Sequence, residues 1–339
     1  MGAPDQQGVP ILQLTPPTRP SKTAEISYGT GHRFSWPVIC CISAICAVAA
    51  EPVRPQIGAL AYRPDGKLLA AGTFKSVRLI DPATRQTLAT LDGEADQVRA
   101  LAFSPDGKYL AAAGGFPAQK GEVRIWDVDA RKLTITITGH HDCIYAAAFS
   151  PDGKTLATAS YDKLIKLWNP ATGEEVRTLK DHIDAVYDLA FTPDGKRLLS
   201  ASADRSVKVW NPATGERLYT MSEATDGLNT LAVDPSGKSV AAGGYDKTIR
   251  VWALGEKAAT LKNSLIAHED AILRLAFSPD GKTLISTGAD RSLKAFRVDD
   301  LTEIKSYPPQ PDWVLSLSFS PDGHKFAVGR YDGTLEFCQ

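Results

Sequence analysis

The residues of this chain best suited to chemistry gather between positions 140 and 168. Gly153-Lys154-Thr155 ends like a phosphate-binding loop, and His140, His141 and Asp142 lie just upstream, a grouping that suggests a metal site or a general base. A phosphate loop has the form G-x-x-x-x-G-K-[ST], whose first Gly lets the backbone wrap an anion ahead of a helix. Ala148 stands at that first position, and the triplets Gly237-Lys238-Ser239 and Gly281-Lys282-Thr283 have Ala232 and Ala276 there. Each triplet also sits between two apolar runs of strand length, so a hairpin turn is expected and not an anion site. The histidines lack a third convergent ligand, and neither G-x-S-x-G nor H-E-x-x-H occurs. No catalytic residue, metal or cofactor is expected.

Composition points the same way. The chain has 339 residues, a formal net charge of −1 and 43% apolar residues, with both signs of charge interspersed. Such a balance projects no field toward nucleic acid or an anionic membrane. The five cysteines, at 40, 41, 46, 143 and 338, show no C-x-x-C or zinc spacing. A Cys143–Cys338 disulfide has no local support.

The N-terminus differs from the rest. Residues 1–35 are rich in Pro, Gly, Ser, Thr and Gln without hydrophobic period and read as disordered. Trp36–Ala50 is an uncharged apolar run, short for a membrane span but matching the hydrophobic segment of a secretory signal, with small residues before Glu51. Cleavage there makes the protein periplasmic or extracellular. Two other readings stay open: an uncleaved membrane anchor, or a β-strand of the folded domain in a cytoplasmic protein.

From residue 57 onward the chain repeats. Pro-Asp-Gly, once Pro-Ser-Gly, begins at 64, 105, 151, 193, 235, 279 and 321. A run such as "VYDLAFT" precedes each, and runs such as "LATAS" and "IKLW" follow, then a second turn such as "NPATGE". The Val, Ile, Leu and Phe runs between turn residues are strands, and Pro-Asp-Gly fits a hairpin in which Gly takes the left-handed position. Four antiparallel strands per repeat, apolar on both faces, must stack on their neighbours, and seven such sheets close a ring.

The stretch "GHHDCIYAAAFSPDGKTLATASYDKLIKLWN" resembles a WD40 repeat nearly letter for letter, and the resemblance covers residues 57–339. It implies an all-β fold, a seven-bladed β-propeller of four-stranded antiparallel blades. The last blade would be incomplete, because no fourth strand follows its third. In the family an N-terminal segment often supplies that strand, and only residues 36–56 could do so here.

The resemblance also implies an architectural hydrogen-bond network of His, Asp and Trp. The set is complete in repeat three (His140, Asp162, Trp168) and repeat four (His182, Asp204, Trp210). Repeat five keeps Asp246 and Trp252 but has Ala224 in the His place, and repeat six keeps His268 and Asp290 but has Phe296 for Trp. The hydroxyl that often joins the network is expected three residues before each Asp, where Ala159, Ala201 and Gly243 stand.

One face of such a propeller collects the starts of the first strands and the turns between second and third strands. Positions there that the repeat leaves free are Arg99, Tyr145, Tyr187, Asn229, Leu273 and Leu315, then Gln97 and Trp313, then Tyr161, Tyr245 and Tyr331. Aromatic residues and Arg dominate interface hot spots. The insertion at residues 115–122 is expected beside Arg99 on the same face. The expected function is a non-catalytic scaffold, monomeric or part of a hetero-complex, binding a protein or peptide across this face. The alternative is a propeller enzyme or small-ligand binder using the central channel, and a third reading is a pairing module of a longer polypeptide.

Overall fold

The Pro-Asp-Gly triplets share one backbone turn, and the fourth shows how most of them are built. Gly195 N–H donates to the Thr192 carbonyl (2.8 Å), while Asp194 Oδ1 accepts from the Thr192 hydroxyl (2.6 Å) and the Lys196 N–H (3.0 Å). Pro193 presets its φ, and Gly195 sits at φ 68°, a left-handed conformation that costs an L-residue about 1 kcal/mol. The turn reverses the chain onto the strand before it. Gly153-Lys154-Thr155 lies in the same kind of turn, with Lys154 N–H donating to Asp152 Oδ1 (3.1 Å).

The protein is described from a computed structural model over residues 55–339. The readings made for residues 1–35 and 36–50 therefore lie outside the described residues. Seven antiparallel sheets follow one another along the chain, and no helix occurs among the described residues. Their innermost strands are Ala59–Tyr62, Ala100–Phe103, Ile144–Phe149, Val186–Phe191, Leu228–Val233, Ile272–Phe277 and Val314–Phe319. Blade four continues outward through Leu198–Ser202, Val207–Trp210 and Arg217–Met221, each strand paired with the one before it.

Blades hold together face to face. Trp210 of blade four packs with Ala157, Ile165 and Leu167 of blade three and is almost fully buried. The next interface sets Leu199, Val207 and Val209 of blade four against Leu228, Val240 and Trp252 of blade five. Complete burial of a Leu or Trp side chain contributes roughly 2–3 kcal/mol, and each interface repeats that gain. The second strands are rich in fully buried Ala, as at Ala70, Ala111, Ala157, Ala201 and Ala241. Small side chains let the sheets approach closely.

Among the described residues the last blade has three strands: Val314–Phe319, Phe326–Arg330 and Leu335–Cys338. The ring nonetheless closes through inner strands. Ile57 is fully buried against Ala327, its N–H donates to the Arg330 carbonyl (3.0 Å), and its own carbonyl accepts the Ser316 hydroxyl (3.0 Å). Cys143 and Cys338 are both free thiols, so they are not joined.

Candidate functional site

The polar network beneath one face of the ring differs by one residue from expectation. In blade three, Trp168 Nε1 donates to Thr158 Oγ1 (2.8 Å), Thr158 Oγ1 meets His140 Nε2 (2.8 Å), and His140 Nδ1 meets Asp162 Oδ2 (2.8 Å). Blade four repeats it with Trp210, Ser200, His182 and Asp204 at 2.7–2.9 Å. The hydroxyl is thus four residues before the Asp, not three. Ala159 and Ala201 instead face apolar neighbours, because side chains alternate along a strand. Burial lowers the His182 ring below its ordinary value despite Asp204, so it is neutral at pH 7, donating to Asp204 and accepting from Ser200. Burial would raise Asp204, but His182, Ser206 and the Ile183 N–H outweigh it and hold the carboxyl well below the usual range. The donors and acceptors of the network pair with one another, which stiffens a blade.

Other blades reach the same end with different residues. In blade six, His268 bonds Ser286 and Ser292 (both 2.6 Å) beside Asp290, and Phe296 fills the Trp place without a donor. In blade five, Arg250 Nη1 pairs with Asp246 Oδ2 (2.6 Å) where a His would be, and Trp252 Nε1 donates to Glu223 (3.2 Å). In blade two, Trp126 Nε1 donates to buried Glu94 (2.8 Å). Burial pushes the Glu94 carboxyl up to about 7, against the lowering effects of Trp126 and Arg124. His141 is exposed on its own, and no group of three His, Cys, Asp or Glu residues among the described residues is placed to hold a metal ion.

Above this layer the channel opens into a concavity of about 350 Å³. Arg99, Tyr145, Tyr187, Asn229, Leu273 and Leu315 line it from the starts of six first strands. Gln97, Trp313, Tyr245 and Tyr331 complete the wall. Tyr161 is outside the lining but lies against Tyr145 and Tyr187, ring centroids 6.3 and 6.4 Å away. Tyr145 and Tyr187 meet edge to face at 5.1 Å, and Trp313 meets Tyr331 at 6.0 Å. Arg99 lies over the Tyr145 ring at 5.0 Å. Gln97 is spent on structure, since it is buried and its amide donates to the Val98 carbonyl (3.1 Å). Burial raises the phenols of Tyr145 and Tyr187 above their ordinary value, so at neutral pH they offer hydrogen-bond donors and no base.

The 115–122 insertion extends the hairpin of Tyr109–Phe116 and Lys120–Asp127. It leans on blade three, where Cys143 Sγ donates to the Gly115 carbonyl (3.2 Å) and Ala118 N–H to Asp142 Oδ1 (2.9 Å).

Four residues of this region escaped the sequence reading. Phe74, 50% exposed, holds in blade one the turn position of Tyr161, Tyr245 and Tyr331. Its turn has no Asp to align on. Ile183 and Ile266, 78% and 75% exposed, end the approach to this face in blades four and five. Arg274 lines the mouth from within "ILRLAF", a strand that reads as buried. Its signal was a charge where blades two and three have Ala100 and Ala146. Across blade five Asp188 faces it electrostatically, accepting from Leu189 N–H, Leu231 N–H and the Thr230 hydroxyl at 2.9–3.0 Å. Burial raises Asp188 above the ordinary carboxyl value, with Arg274 opposing.

A larger cavity, about 490 Å³, lies at the opposite face, between the Pro-Asp-Gly turns of blades two and three and lined by Tyr109, Ile135, Phe149 and Pro151. It is a cleft between two neighbours built from residues the repeat itself requires.

The WD domain, G-beta repeat family matches residues 85–127, 131–169, 173–211, 215–253, 259–297 and 301–337. Each matched stretch runs from the outermost strand of one blade through the third strand of the next. The first three strands of blade one, which include the shortened Phe74 turn, fall outside the matches. A comparison with curated proteins finds no match.

Proposed function

This chain belongs to the WD domain, G-beta repeat (WD40) family, and on that footing we propose that it is a non-catalytic scaffold whose partner protein or peptide docks over the mouth of the channel. The observation that carries this reading is the convergence of aromatic and Arg side chains from around the ring on one concavity. Tyr161, Tyr245, Trp313 and Tyr331 each remain about half exposed on its rim, with Phe74 beside them. Half-exposed rings that lose the rest of their water on docking are the usual source of hot-spot energy.

The competing reading, an enzyme or small-ligand binder in the channel, draws on Asp188 and Arg274. Three internal donors occupy Asp188, and burial keeps the Tyr145 and Tyr187 phenols protonated, so none of these three groups is an available base. Partner capture from the native host tests the docking face, using the intact protein beside a variant carrying Tyr145→Ala, Tyr161→Ala and Trp313→Ala. The partner is expected with the intact protein alone, and equal retention by both contradicts the reading. Export belongs to the same proposal and rests on the Trp36–Ala50 run. The mass of the mature protein tests it: a soluble form that keeps Trp36–Ala50 defeats it.

A further inference from the structure

Resting on the docking face proposed above, we infer that the mouth receives an acidic side chain of the partner, its carboxylate meeting Arg99 while an adjoining apolar side chain lies on the aromatic rim. Two guanidiniums, Arg99 and Arg274, line the mouth, and no Asp or Glu does. Neither has a carboxylate at ion-pair distance among the described residues. Two of the nearby acids are otherwise engaged. Asp188 opposes Arg274 from inside the channel, and Asp142 accepts the Ala118 and Cys143 N–H groups.

The two cations are therefore not equivalent. The charge of Arg274 faces Asp188 across the channel, whereas Arg99 sits beside the Cys143 thiol, with Asp142 and Asp96 beyond ion-pair distance. Arg99 is also oriented before any ligand arrives. Its guanidinium rests on the Tyr145 ring, and its Nε is buried without a hydrogen-bond partner. What a ligand reaches is the terminal fork, whose spacing matches a carboxylate. A single guanidinium fork without a carboxylate at ion-pair distance suits a single negative charge, which favours Asp or Glu over a phosphate dianion. The neutral Tyr145 and Tyr187 hydroxyls add donors, and donors are what an anion requires.

A cationic guest fits poorly. The tyrosine rings of blades three and four pack against one another instead of enclosing a void, and both mouth charges would repel it. The apolar companion has its own place at Trp313 and Tyr331, an edge-on pair half open to solvent. An Arg fork for the acid and an aromatic pair for the neighbouring residue read two positions of a peptide, where a free small acid would use only the first.

The test is a selection of random dodecapeptides displayed on phage against the intact protein, followed by titration of the leading peptide by fluorescence anisotropy. Acidic residues next to an apolar one should be enriched. Glu→Gln in that peptide should weaken binding about tenfold or more on the wild-type protein and less than about twofold on Arg99→Gln. Arg99→Lys, which keeps the charge but not the fork, should fall between, and thermal melts establish that both variants fold. Three results overturn the inference: no enrichment of acidic positions, an equal Glu→Gln loss on wild type and Arg99→Gln, or binding about tenfold tighter when phosphoserine replaces the Glu. A peptide that needs Tyr145 and Trp313 yet ignores Glu→Gln removes only the acidic preference. A peptide indifferent to Tyr145→Ala and Trp313→Ala removes the docking face itself.

Discussion

The two faces of the ring are made by the same repeat and end up chemically opposite. On one, most Pro-Asp-Gly turns tie the Asp to a local hydroxyl and N–H, as Asp106, Asp152, Asp194 and Asp280 do, and Asp65 takes the Arg63 side chain instead of a hydroxyl. A cavity on that face, about 490 Å³, is larger than the mouth at about 350 Å³, yet turn prolines, first-strand Phe149 and outer-strand side chains wall it. On the other face the network of His, Asp and hydroxyl lies just below the surface and satisfies the backbone from beneath. Apart from Gln97 and Asn229, whose amides bond backbone carbonyls, the positions above it are free of the repeat, and there the chain places Arg, Tyr and Trp. Cavity size is thus a poor guide here. A binding surface is better marked by side chains that the fold does not require.

Changes that break or sharpen this contrast can be ranked. The largest effect is expected beneath the docking face, at His182→Ala. It removes one of several donors to Asp204, deprives the Ser200 hydroxyl of its acceptor and opens a cavity, and should cost about 3 kcal/mol in urea denaturation. A loss below about 1 kcal/mol would mean that the network does not support its blade. Next, Tyr145→Ala with Trp313→Ala should weaken partner binding about a hundredfold while leaving the unfolding midpoint within a degree or two. Tyr109→Ala in the opposite cavity should leave binding unchanged. If Tyr109→Ala matters as much, the two faces have been assigned the wrong way round.

Glu94→Gln reports on the support of blade two through pH. The folded-state value of Glu94, about 7, lies above the ordinary 4.5, so the folded protein holds a proton that the unfolded chain releases. Stability therefore falls as pH rises from about 4.5 through 7, and the penalty is complete above that. Glu94→Gln keeps an acceptor for Trp126 without the charge. It should gain roughly 2–3 kcal/mol at pH 8 and little at pH 4.5, measured as paired denaturation curves. A gain independent of pH would contradict the buried-carboxylate account. The smallest effect is expected at Gly195→Ala, where the added methyl meets Pro151 at an ordinary 3.4 Å and only the φ of 68° resists. About 1 kcal/mol should be lost with no change in binding.

Much of this architecture is legible in the letters, for an identifiable reason. Pro-Asp-Gly recurs because the turn needs a preset φ, a capping carboxylate and a left-handed residue, and the one Pro-Ser-Gly keeps all three by exchange, Ser236 donating to Asp234. The spacing of blades follows directly. The network was harder to read, since Thr158 and Ser200 sit one place from where they were sought, and alternation on a strand turns a one-residue error into the opposite face. Arg250, Glu94 and Glu223 were invisible because they replace motif residues from elsewhere in the chain. At the mouth, Tyr145, Tyr161 and Tyr187 stood out as letters free of the repeat. Phe74 did not, because its turn is shorter and has no Asp beside it, and Arg274 was hidden in an apolar strand.

The docking face is tested most directly by hydrogen exchange on the complex with a captured partner. Slowed exchange is expected at the amides of residues 143–146, 185–188, 227–230 and 313–316 and at the turns around Phe74, Tyr161, Tyr245 and Tyr331. The amides of Asp106, Asp152, Asp194 and Asp280 should be unaffected. Protection centred on those Pro-Asp-Gly turns, with the channel mouth unchanged, would contradict the account.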